Sequence, residues 1–164
     1  MRSNISQWIL YNIIVCFAVY WLSNVILWYP WSVNEKLGQT IMLTVNPILW
    51  GYASYLCIKK FPETNLLKGA FLNSVVFLAE AIISDMILFA GIQHAMDKLM
   101  HPTTLYGWGF VATVPFIIYI LFKRPIKNHK KLLNKHDFKM PFITGVVSFI
   151  LIAIVLIFKI RFGQ

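Results

Sequence analysis

Negative charge is scarce in this chain, with six Asp and Glu among 164 residues. Charged residues of both signs reach only 13%, against the roughly 25% of a soluble domain, which excludes a water-soluble domain of useful size. Cysteine is rarer still. Cys16 and Cys57 both fall inside apolar stretches, where a disulfide is not expected, so they read as small core residues with no information about redox compartment. Metal-binding, nucleotide-binding and nucleophile motifs are also missing. No catalytic residue, bound metal or cofactor is therefore expected, and the reading leans away from an enzyme.

What is present is hydrocarbon, at 59% of the chain. Five apolar stretches, at about residues 7–28, 38–58, 70–92, 105–122 and 140–158, each approach the ~20 residues a helix needs to cross ~30 Å of bilayer core. The alternation of a barrel strand is absent. The expectation is an all-α fold, one membrane domain over 1–164 built as a bundle of five transmembrane helices. The first stretch is too long for a signal-peptide core of at most ~15 residues and is followed by Trp28-Tyr29-Pro30-Trp31 rather than small residues, so it is expected to stay.

The net charge of +9 does not point to nucleic acid, because its distribution is wrong for that partner. Seven of fifteen basic residues, Lys123, Arg124, Lys127, Lys130, Lys131, Lys135 and Lys139, lie in the 123–139 loop directly after a span. That placement suits anionic headgroups at the inner leaflet. With five crossings, one face collects these seven together with Arg2, Lys59, Lys60 and Lys68, and the other has Lys36, Lys98, Lys159 and Arg161. Positive charge stays inside, so the N-terminus and the basic loop are expected to be cytoplasmic in a multi-pass cell-membrane protein, with the C-terminus external. Lys159 and Arg161 lean against that orientation. Trp28, Tyr29, Trp31, Tyr106 and Trp108 are expected as interfacial anchors at the outer boundary, and Pro47 and Pro115 invite kinks.

The third stretch alone contains carboxylates. Glu80 lies near its middle and Asp85 about 7 Å closer to the outer face, while no span contains Lys or Arg to pair with either. Placing a charged carboxylate there costs at least ~2.5–3.5 kcal/mol, which makes intramembrane acids functional hypotheses. Five residues on a helix turn through ~140°, so the two acids are not expected to form one close pair. Depth counting brings Asn46 level with Asp85 and leaves a hydrogen bond between them open. Glu80, Asp85 and Asn46 thus form the candidate intramembrane polar or proton site. If helix persisted to Pro102, His94, Asp97 and His101 would form a row at i, i+3 and i+7, a weak metal-ligand pattern whose plainer reading is solvated surface.

In outline, five spans in an aromatic-rich chain of this length, the protein resembles the translocator-protein family and, more broadly, small bacterial multi-span membrane proteins. That resemblance implies a helical bundle and a lipophilic ligand. The Trp-Tyr-x-x-Leu and Trp-Pro-Pro patterns of that family are not found here, so it assigns no residue. Asp85-Met86 and Asp97-Lys98 also depart from the Asp-Arg setting of lipoprotein signal peptidases. The expected function is non-enzymatic: binding or moving a small or lipophilic ligand, or modulating a membrane-protein partner or a second copy. The alternative is an enzyme acting on lipid at the outer interface through Asp85, His94 and Asp97.

Overall fold

The computed structural model describes residues 4–128 and 132–158, apart from the side chains of Ile92 and Lys98. All regular structure among these residues is helical, and five helices are long and apolar enough to span a membrane. They are α1 (Ile5–Val33), α2 (Glu35–Lys59), α3 (Leu66–Asp85), α4 (Pro102–Asn128) and α5 (Lys139–Ile157). α3 continues as a π-helical segment, Met86–Ile92, and two short 3₁₀ turns, Met96–Met100 and Lys135–Phe138, precede α4 and α5.

The helices pack as two antiparallel pairs set side by side. α1 lies on α2, α3 lies on α4, and the pairs meet through α1 against α3 and α2 against α4. α5 packs on α1 alone among the major helix contacts. α1 is therefore the central element, surrounded by neighbours, which explains why its sequence is apolar on every face. Gly145 brings α5 close: a Cβ there would lie 2.5 Å from Phe17 Cδ1 and 3.2 Å from the Ala18 Cα. Small residues allow such backbone approach where lipid removes any hydrophobic drive between helices.

Several boundaries differ from those read in the sequence. The nine residues expected between the first two spans shrink to Asn34, because α1 runs on through Trp28-Tyr29-Pro30-Trp31 to Val33. Asn34 then caps α2, its side-chain oxygen accepting from the Lys36 amide at 2.8 Å. Trp31 folds over Gly38, where a Cβ would sit 2.5 Å from the indole ring. The basic segment is not all loop either. α4 carries Lys123, Arg124 and Lys127 on its last turns, with Ile126 fully buried between them. Lys130 and Lys131 lie outside the described residues, as do Arg2, Lys159, Arg161 and the C-terminus.

Candidate functional site

Three polar layers cross the interior between α1, α2 and α3. The layer nearest the N-terminal end is built on Asn12 and Asn73, both fully buried, with Asn73 Nδ2 donating to Asn12 Oδ1 at 2.6 Å. Asn12 Nδ2 donates in turn to the Trp8 carbonyl at 2.7 Å, leaving Asn73 Oδ1 without a donor. Ser54 of α2 belongs to the same depth. The Trp50 and Phe77 rings meet edge-on at 5.7 Å, and in this antiparallel arrangement Ser54 and Asn73 each lie one turn below that contact. Ser54 is fully buried and its hydroxyl also lacks a partner.

The middle layer contains Glu80. The Cys16 thiol donates to the Phe77 carbonyl at 3.7 Å and also engages the Glu80 carboxyl, while Glu80 Oε2 is buried without a partner. Glu80 has no ion pair: the described residues form two, Lys60 with Asp137 and Lys68 with Glu63. The two cysteines are buried and free, and Cys16 is the one that reaches the Glu80 carboxyl.

The third layer is an acid held by two aromatic donors. Asp85 Oδ1 accepts from the Tyr20 hydroxyl at 2.5 Å and Oδ2 from the Trp108 indole at 2.6 Å, joining α1, α3 and α4 at one point. Short bonds of this kind to a carboxylate are stronger than neutral ones. The expected Asn46–Asp85 bond is not formed: both carboxylate oxygens are taken, and Asn46 Oδ1 has no partner. Depth counting from the ends of two stretches does not fix the direction in which a side chain leaves its helix, and the Trp50–Phe77 contact sets Asn46 about one turn short of Asp85. Trp108, expected as an interfacial anchor, instead closes this layer. The signal available was that Tyr20 lies too deep in its stretch for a headgroup anchor, and buried Tyr and Trp polar groups need partners.

The two ends are closed. At the N-terminal end, Trp8 Nε1 donates to the Cys57 carbonyl at 2.8 Å and its ring meets the fully buried Phe61 at 4.8 Å. Over this plug, Lys60 Nζ pairs with Asp137 Oδ2 at 2.6 Å, and Asp137 is itself held by the Asn134 amide in a capping box. Phe138 packs edge-on against Tyr11 at 5.5 Å. Asp137, the one acid among the seven basic residues, went unnoticed in the sequence.

The His94, Asp97, His101 row does not exist. The chain leaves the helix at Gln93, and His94 adopts a left-handed backbone with φ of 51°, so the three side chains share no helical face. No group of three or more His, Cys, Asp or Glu that could hold a metal occurs among the described residues. His101 instead serves α4: its Nδ1 lies 2.8 Å from Thr103 Oγ1 and accepts from the Thr103 amide at 3.4 Å. Of the basic candidates, Lys123, Arg124, Lys127, Lys135 and Lys139 are exposed at the end that carries Lys60 and Asp137.

These features define a helical bundle with polar layers between its helices. Compared with family models, with curated proteins and with solved structures, the chain matches none, so the outline resemblance to the translocator-protein family gains no support from these comparisons.

Proposed function

We propose that the protein is a non-enzymatic, multi-pass protein of the cell membrane that binds or moves a small ligand through the compartment around Glu80. The observation that carries this reading is that Glu80 Oε2, Asn73 Oδ1 and Ser54 Oγ, three of the buried oxygens without a partner, lie at depths between the Trp8–Phe61 plug and the Tyr20–Asp85–Trp108 clasp. Buried polar groups left unpaired cost free energy, and a structure tolerates them where they serve something else. The N-terminal end is assigned to the cytoplasm by its basic residues, and the exposed Lys123, Arg124, Lys127, Lys135 and Lys139 suit anionic headgroups there.

Native mass spectrometry from lipid nanodiscs tests the reading. A retained small molecule should be lost on Glu80→Gln and kept on Lys127→Gln, which touches only the surface. Retention unaffected by Glu80→Gln would remove Glu80 from the function. Orientation is checked separately: a reporter that matures only in the cytoplasm should be inactive when fused after Gln164.

A further inference from the structure

We propose that the ligand of this compartment is a proton, delivered to Glu80 by a small water cluster held on Ser54 Oγ and Asn73 Oδ1; this rests on the compartment reading above. The helix geometry sets the three groups along one column, with a gap that water rather than direct contact would have to cross. Asn73 and Glu80 are seven residues apart, two turns along one face of α3, and helical side chains lean toward the N-terminus of their helix. The Glu80 carboxyl therefore drops toward the level of Phe77, where the Cys16 thiol meets both it and the Phe77 carbonyl. The carboxyl stands over the layer in which Asn73 and Ser54 each offer an unpaired, fully buried oxygen.

Hydrogen-bond capacity then selects the ligand. Asn73 has committed an amide hydrogen to Asn12 and keeps an acceptor, Ser54 both donates and accepts, and Glu80 Oε2 is open. A buried water needs two to four such partners. A hard metal cation would require about six oxygen ligands, whereas this site offers three, and no group of three or more His, Cys, Asp or Glu that could hold a softer metal occurs among the described residues. A bulky organic cation would have to displace Phe77, Asn12 or Asn73, all fully buried. The proton needs only a chain of oxygens.

Few other titratable groups face Glu80. α1 presents Cys16 and α2 presents Cys57. α4, set at this depth by the Ser74 bond to the Ala112 carbonyl, buries Val111, Val114, Pro115 and Ile118 along its middle. Asp85 on α3 is turned to Tyr20 and Trp108. The step is balanced without a further reactant: the Glu80 carboxylate and a hydronium give the carboxylic acid and water, and release runs in reverse.

Infrared difference spectroscopy of the protein in nanodiscs, in H₂O and D₂O across a pH range, tests this directly. A carboxylic-acid carbonyl band that is missing in Glu80→Gln should shift on transfer to D₂O. Ser54→Ala and Asn73→Leu should slow that exchange at least tenfold, with near-UV circular dichroism checking that both remain folded; Ser54→Ala removes one oxygen and keeps the probe usable if Asn73→Leu does not fold. Asp137→Asn should leave the exchange unchanged. The proposal is overturned if no Glu80 band titrates, if the wild-type band never exchanges, or if Ser54→Ala exchanges at the wild-type rate. Loss of a retained small molecule in Glu80→Gln without any such band would keep the compartment and reject the proton.

Discussion

The two ends of the bundle are shut by opposite means. At the N-terminal end a full ion pair, Lys60 with Asp137, accompanies rings packed edge-on, and its acid is braced by the Asn134 amide. At the far end one acid accepts from two uncharged aromatic donors, and the helix that carries it loses its regular ladder at the next residue. An ion pair with only one partner left strands a charge in a partly buried place. A clasp of neutral donors can lose a bond at smaller cost. The difference makes the far end the one that yields first, consistent with π-helical segments occurring often at functional positions.

Lys60→Met should have the largest effect. It leaves Asp137 unpaired, and since that side chain is 28% exposed the loss falls below the 3–5 kcal/mol of a buried pair, at roughly 2–3 kcal/mol. Denaturant unfolding in micelles measures it, and hydrogen exchange should rise around residues 60–66 and 134–139. Equal protection there would mean that the aromatic plug alone closes this end.

Asp85→Asn comes next. Asn presents one acceptor where two donors converge, so either Tyr20 or Trp108 loses its bond, at a cost of about 1–2 kcal/mol. Faster exchange confined to 86–101 is the expected signature, and a global rise would contradict a local clasp. Tyr20→Phe removes a single donor and should cost about 0.5–1.5 kcal/mol. Combined with Trp108→Phe in a double-mutant cycle, it should show coupling, because both bonds end on one carboxylate; strict additivity would separate them.

The smallest change belongs to Glu80→Gln. Gln keeps the shape and hydrogen bonding of a protonated Glu, so unfolding should shift by no more than about 0.5 kcal/mol while the carboxyl signal disappears. A large destabilisation would make Glu80 part of the frame that holds the ends together.

The spans were legible because length and hydropathy are local properties. All five helices stand where apolar stretches were read, and Glu80 is half-buried with one carboxyl oxygen enclosed. The Trp28-Tyr29-Pro30-Trp31 run looked like a boundary, yet the helix absorbs Pro30 and the turn is made by one capping Asn. The apolar stretch to residue 92 contained no sign that its last seven residues, Met86–Ile92, would widen into a π segment. Partners were the least legible. Spacing gave Asp85 its depth but could not choose Tyr20 and Trp108 over Asn46, and the Lys60–Asp137 pair joins residues 77 positions apart in a sequence where the lysine looked like one more topology signal.

The single residue between α1 and α2 bears on how the chain is made. Two helices of 29 and 25 residues joined through Asn34 alone, with Trp31 laid over Gly38, have no slack to separate. A pair tied this closely is expected to enter a bilayer as one helical hairpin, so that whichever side the first helix starts from fixes the second. The basic residues at 123–139, made later, are left to act on the remaining helices. Moving those charges to the first hairpin should then change orientation more than removing them from the loop.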